Sequence, residues 1–369
     1  MSRRSASLGA IPSGAISLAM GEPFAGTDSR ITEAAMASAR SGNTRYEALT
    51  GSSALREAIA KTLSAQYDRC IGAQAVVPTH GASAGLAAAI LALVDPGDRV
   101  VIPEPTYSLY ADHVAMAGGQ VDWVPIGPDG SLDLEAIGER IQGARMVILC
   151  NPGNPSGRIH SRHEIDTVAA AAAESNCYLI SDEAYCDIVF DGLEFASVLS
   201  KPEYADIVVC CRTFSKSFAM TGWRLGYVVA GAAVADAVNL VHRTVNGALN
   251  SFVQHAGVAA LGLADDLLTG LAEQYQYRRD LVVDNLHGIP GVHLARPQGA
   301  FYAFPRVDMD ISSDDLTQRM ADAGVLVRSG REYGPSGEGH FRISFATDTD
   351  SLTAGLDRVR KVLEESIRR

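Results

Sequence analysis

Apolar positions gather into short, unbroken runs along the first two thirds of this chain. Val76-Val77, RVVIPE ending at Glu104, QVDWVPI ending at Ile126, RMVILCN ending at Asn151, CYLISDE ending at Glu183, DIVVCCRTF ending at Phe214 and RLGYVVA ending at Ala230 are rich in β-branched residues. Runs that do not alternate with polar residues predict strands buried on both faces, hence a mainly parallel, seven-stranded sheet sandwiched by helices. Alanine-rich stretches beginning at Leu86, Glu164 and Ala233 carry helical spacing and predict the covering helices. Several runs end in polar groups: Thr79-His80, Glu104, Asn151, Asp182-Glu183 and Thr213-Phe214-Ser215-Lys216. Loops at the carboxyl ends of parallel strands are where α/β folds bind ligands. These groups are therefore candidates for one shared site.

Near residue 275 the pattern changes. EQYQYRRDLVVDNL reads as a long helix and GVHLARPQGAFYAFPRV as strand, turn and strand. A helix near Ser312–Ala323, the strand-like HFRISFATD and a final amphipathic helix follow. This is an α+β pattern. The expected division is a large α/β domain over 31–274 and a smaller α+β domain built from both termini, 1–30 and 275–369.

Composition narrows the function classes. A formal net charge of −12, with no long Lys/Arg run, argues against nucleic-acid or anionic-membrane partners. No run approaches the roughly 18–20 apolar residues needed to span a bilayer. Ser2-Arg3-Arg4 resembles the start of a twin-arginine export signal, but Pro12-Ser13-Gly14 interrupts the segment that follows. The six cysteines include no C-x-x-C pair, which fits buried thiols in a reducing compartment. A cytoplasmic enzyme is expected. His160 and His163 lack partners at metal-ligand spacing, and no metal site is expected.

Gly81-Ala82-Ser83-Ala84-Gly85 matches G-x-S-x-G, the turn that presents a nucleophilic serine in α/β-hydrolases. The same strand–turn–helix could instead cup a phosphate at a helix start. Asp182 ends an apolar strand, where a bare carboxylate is costly unless it meets a cation. Lys216 follows another strand among Phe214, Phe218 and Trp223, a setting that desolvates an amine and frees it to act as nucleophile or base.

SKSFAMTGWRLGY, residues 215–227, resembles the lysine motif of the class I/II aminotransferases, which are fold-type I pyridoxal-phosphate enzymes of the aspartate aminotransferase kind. The resemblance runs in order along nearly the whole chain: GEP at 21–23, RYEALTGSSALREAI at 45–59, NPGNPSG at 151–157, SDEAY at 181–185 and HFRISFATD at 340–348. It implies that Lys216 holds the cofactor aldehyde as an internal imine and then shuttles the Cα proton. Asp182 would pair with the pyridinium nitrogen. Tyr185 and Asn154 would bond the ring's phenolic oxygen, and Tyr107 would stack on the ring. Gly81, Ala82, Ser83, Thr213, Ser215 and Arg224 would hold the phosphate. Arg342, with Gly21 and Asn154, would take the substrate carboxylate. Tyr46 would reach the cofactor of a neighbouring subunit, which implies a homodimer.

Placed in that order, Gly81-Ala82-Ser83 reads as a phosphate cup. The hydrolase alternative has too few strand-like runs before Ser83 to place it in the middle of a sheet and no upstream H-G-G-G-type segment, although Asp308 and His340 follow in a suitable order. The expected reaction moves an amino group between an L-α-amino acid and a 2-oxo acid. A β- or γ-eliminating lyase of the C–S type is the alternative on the same scaffold. A transcription regulator is not expected, with twenty residues before Gly21. For the substrate side chain, Arg30, Arg296 and Arg328 are available cations that no motif places.

Overall fold

A computed structural model describes residues 14–308 and 310–367 of the chain. The Ser2-Arg3-Arg4 and Pro12-Ser13 signals lie outside the described residues. Each of the seven apolar runs contributes a strand: β1 Val76–Thr79, β2 Arg99–Glu104, β3 Gln120–Pro125, β4 Met146–Cys150, β5 Tyr178–Asp182, β6 Val208–Thr213 and β7 Gly226–Ala230. They form one sheet in the order β1-β7-β6-β5-β4-β2-β3. All neighbours are parallel except β7, which runs antiparallel to both β1 and β6. Every residue of β4 is buried, as the unbroken apolar run requires.

The reversed strand matters for the site. Its first residue, Gly226, pairs with Thr79 at the end of β1 and with Thr213 at the end of β6. The residues just before β7 therefore reach the same sheet edge as the carboxyl ends of the parallel strands. Arg224 is one of them.

Helices cover the sheet. Gly81–Leu93 begins five residues before the Leu86 expected from the alanine pattern, because Gly81 at φ +78° turns the chain straight from β1 into the helix. Arg162–Glu174 starts in a capping box between Ser161 and Glu164. Ala232–Asn246 also covers the sheet, and Ser29–Arg40, Ser53–Tyr67 and Ser251–Gly262 put Ile31, Leu55, Ile59 and Val253 into the same core.

A separate apolar cluster joins Leu18 to Tyr275, Val282, Phe301, Phe341, Ile343 and Leu356. Around it lie the helices Leu271–Leu286, Ser313–Asp322 and Thr349–Ile367. Its strands are shorter than the sequence suggests: β8 Tyr302–Ala303, β9 Arg328–Ser329 and β10 Phe341–Ser344 pair antiparallel in the order β8-β10-β9. Near the amino terminus, Ile16–Ser17 pairs with Val325–Leu326, which ties that segment to this second cluster.

Candidate active site

The carboxyl edge of the sheet and the second cluster enclose a cleft of about 220 Å³. Lys216, Asp182 and Arg342 all line it. Lys216 sits in a short helical turn, Phe214–Ser217, immediately after β6. Its Nζ donates to the carbonyl of Gly21 at 2.5 Å. Burial, reinforced by the charge of Arg342, pulls the ammonium down to about 8. A larger share of the amine is therefore neutral near physiological pH than in an exposed lysine.

Asp182, the last residue of β5, is 4% exposed. Burial pushes its carboxyl up to about 6, against the bond from the Tyr110 hydroxyl at 2.7 Å and one from the Ala184 N–H at 3.2 Å. A carboxylate this buried is stabilised by a cation brought to it.

The residues at the anion-binding end come from three elements. Ala82 and Ser83 open the helix Gly81–Leu93, whose N-terminal dipole favours negative charge. Thr213 caps the Lys216 turn by accepting from the Ser215 N–H at 3.1 Å, and the two hydroxyls lie 2.9 Å apart. Arg224 adds a guanidinium and adopts φ +53°, a left-handed conformation that its place before β7 imposes. A Cβ on Gly81 would lie 2.5 Å from that guanidinium.

Across the cleft, Arg342 on β10 donates through Nη1 to Asn154 Oδ1 at 3.0 Å and through Nη2 to the Ala19 carbonyl at 2.7 Å. Its carbon Cζ lies 4.2 Å from the Tyr302 ring centre and 5.2 Å from that of Tyr333. Its Nε is buried without a hydrogen-bond partner. A buried donor of this kind suits an incoming carboxylate. Gly21 lies alongside, and a Cβ there would sit 2.1 Å from the Tyr302 hydroxyl.

Thus Tyr107, Asn154, Tyr185, Thr213, Ser215 and Arg224 share the cleft with the three charged residues, together with Gly21, Ala82 and Ser83. Tyr46 does not line it and is 93% exposed. The hydroxyl of Tyr185 lies 2.9 Å from that of Tyr302. His80 is turned away, its Nδ1 3.3 Å from His242 Nε2 and the rings stacked. A serine-hydrolase triad does not assemble, because His340 stacks on Phe304 and Asp308 bonds His293 at 2.7 Å. Of the three unplaced arginines, Arg30 pairs with Asp28 and Asp266, and Arg296 with Asp280. Arg328 alone of the three enters the cleft.

Among the residues that the sequence reading missed, Tyr302 and Tyr333 line the cleft and Tyr110 bonds Asp182. Tyr110 stands one helical turn after Tyr107, a spacing that could have suggested it. Tyr302 and Tyr333 sit in apolar or glycine-bearing contexts that read as core.

This fold and cleft define a pyridoxal-phosphate-dependent transferase, and the comparisons agree. The family model for aminotransferase class I and II matches residues 13–359. The chain belongs to that family. An aspartate aminotransferase of Pyrococcus horikoshii is 34% identical over 357 residues, covering 95% of this chain and 90% of that protein. An LL-diaminopimelate aminotransferase of Desulforudis audaxviator is 33% identical over 350 residues, 93% of this chain and 88% of its own. The crystal structure of an aromatic aminotransferase from Pyrococcus horikoshii superposes with a TM-score of 0.91 at 31% identity, covering 96% of both chains.

The residues present fit the cofactor. Its phosphate would meet hydroxyls, a guanidinium and a helix start. Its ring nitrogen would bring a cation to Asp182, and its aldehyde a partly neutral amine at Lys216. A side chain at Gly21 or Gly81 would crowd the cleft.

Proposed function

We propose that the cleft binds an L-α-amino acid and then a 2-oxo acid in turn, with Lys216, Asp182 and Tyr185 as its catalytic residues. The observation that carries this reading is the pairing of a buried amine and a buried carboxylate in one cleft with Arg342, whose Nε is unbonded. Pyridoxal phosphate, when bound, supplies an electron sink for the charge left on Cα as its proton departs.

The chain's own residues do the rest. Ala82, Ser83, Thr213, Ser215 and Arg224 hold the phosphate, with Gly81 giving the room. Asp182 would pair with the ring nitrogen and favour its protonated form. Lys216 would hold the cofactor's aldehyde and, as a free amine, would take up and return the substrate's Cα proton. Arg342, braced by Asn154 and Ala19, orients the substrate carboxylate and so aims the Cα–H bond at Lys216. Tyr107 would stack on the cofactor ring, and Tyr185, tied to Tyr302, would bond its phenolic oxygen.

The same reading divides the chain into a large domain, 31–274, and a small one, 1–30 with 275–369. The separate apolar cluster around Phe301 and Phe341 supports this. It also makes the protein a homodimer in which Tyr46 serves a neighbour's site. The exposure of Tyr46, Phe24 at 60% and Val245 at 69% supports a covered face. A cytoplasmic setting is supported by six free cysteines, and no helix among the described residues is long and apolar enough to cross a membrane.

Single-turnover spectra with a panel of amino acids test the reaction. Loss of the aldehyde-form absorbance together with 2-oxo acid release, and no free ammonia, is the expected result. Ammonia and pyruvate released while the aldehyde form persists would instead mark an eliminating lyase.

A further inference from the structure

The helix Gly81–Leu93 starts without a side-chain cap. His80 stands at its N-cap and makes no side-chain bond to the first turn. A Ser, Thr, Asp or Asn there would spend an oxygen on the amides of Ala82 and Ser83, whereas an imidazole leaves them for an anion. Those amides serve an anion only if the turn that carries them is held in place. Two bonds to the turn hold it. The Thr79 hydroxyl donates to the Gly81 carbonyl at 3.0 Å. On the other side, the His80 N–H donates at 3.2 Å to Nε2 of His242, which sits on the helix Ala232–Asn246. His242 is 1% exposed and does not line the cleft.

The bond to His242 needs a lone pair on Nε2, hence a neutral ring with its proton on Nδ1. Burial, with His80 beside it, pulls this imidazole down to about 4, so the lone pair is present at neutral pH. The His80 ring stacks on it with centroids 5.2 Å apart, and His80 Nδ1 lies 3.3 Å from the same Nε2. The helix bearing His242 is a firm support. Its Val234, Ala235 and Val238 pack in one cluster with Leu86, Ala89 and Ile90 of the helix that Gly81 begins. Apolar packing of that kind fixes the two helices but does not orient a peptide plane. Gly81, at φ +78°, is the place where the chain could swivel. A directional bond to the peptide just before it removes that freedom.

We infer that His242 is a positioning residue for the cofactor phosphate: by accepting the His80 N–H, its Nε2 holds the turn that aims the Ala82 and Ser83 amides into the cleft. The inference rests on the phosphate lying at this helix start, as argued above, and its test needs no turnover. The full-length enzyme, freed of cofactor, is titrated with pyridoxal phosphate and with pyridoxal, followed by imine absorbance. The ratio of the two dissociation constants isolates the phosphate's share of binding. His242→Phe keeps a ring to stack on His80 but offers no acceptor. It should lower the ratio about tenfold, the scale of one hydrogen bond to a charged site, with pyridoxal affinity unchanged. His242→Gln, whose amide oxygen can accept, should regain most of the ratio. His80→Pro deletes the donor at φ −71°, an angle proline adopts, and should lower the ratio as His242→Phe does. His80→Ala keeps the N–H and should keep the ratio. An unchanged ratio in His242→Phe overturns the proposal, as does an equal loss of both ligands, which is what packing alone would give. Should His242→Phe fail to fold, His80→Pro decides, and an unchanged ratio there overturns the proposal as well. A fall in His80→Ala as large as in His80→Pro would assign the effect to the His80 ring and overturn it too. A wild-type ratio near unity would remove the phosphate from this helix start and the proposal with it. An enzyme that follows the expected pattern but transfers no amino group sinks the aminotransfer reading and leaves this one standing.

Discussion

The Tyr110 hydroxyl donates to Asp182 Oδ2 at 2.7 Å, and the tyrosine is completely buried. The phenol is the strongest influence holding the Asp182 carboxyl below where burial alone would take it. The interaction joins the helix Leu109–Met116 to the end of β5 and sets the charge of the residue proposed to face the ring nitrogen.

Tyr110→Phe should therefore raise the Asp182 carboxyl further above its value of about 6. A higher value keeps the group protonated, and so uncharged, to higher pH. Pyridoxal-phosphate affinity should drop by roughly tenfold near pH 6.5 and recover as the pH rises. Fluorescence titration of the cofactor at several pH values checks this. A uniform loss at every pH would mean that Tyr110 only packs.

Lys216→Met should abolish covalent retention of the cofactor and all turnover, while making the cofactor-free protein more stable. Its folded value of about 8 lies below the ordinary 10.5, so holding the charge costs the folded state most below pH 8. That cost fades as the pH rises toward 10.5. The gain on removing the amine is thus up to about 3 kcal/mol at pH 7 and small at pH 10.5. Urea unfolding of the cofactor-free proteins at both pH values measures it.

Gly21→Ala should be disabling, because the new methyl would overlap the Tyr302 hydroxyl, 2.1 Å from the Cβ position. Removing that hydroxyl leaves Cζ at 3.2 Å, a tight but tolerable contact. Gly21→Ala alone is expected to lower kcat/KM by about a hundredfold or more, the usual scale for misplacing reacting groups by an ångström. The double variant with Tyr302→Phe should regain part of this. If the double variant is no better than Gly21→Ala, the collision is not the cause.

Arg342→Lys keeps the charge but loses the planar fork. KM for the amino acid should rise by about 10- to 100-fold with cofactor retention unchanged. Steady-state kinetics alongside the cofactor absorbance of the purified variant separates the two effects. Loss of the cofactor would place Arg342 in its support and not in substrate binding.

How much of the site could be read without coordinates depended on local context. Lys216 and Asp182 stand at the ends of apolar runs, where an ionisable group is conspicuous. Tyr302 in AFYAF and Arg328 in VLVRSG offered no such contrast. An aromatic in an apolar string reads as core, and an arginine near a glycine reads as a solvated turn.

Taken alone, the amino-acid order determined the seven strands, the helices between them and the polar groups at the strand ends, because each depends on periodicity and composition within a few residues. It also carried the ordered motifs of a pyridoxal-phosphate family. Only the tertiary structure decided that β7 runs backwards and delivers Arg224 to the same end of the cleft as Ser83 and Thr213. Only it set Tyr110 against Asp182 and Arg328 beside Arg342. Those relations depend on strand direction, register and the packing of distant segments, and burial then converts their proximity into shifted proton affinities and unsatisfied donors.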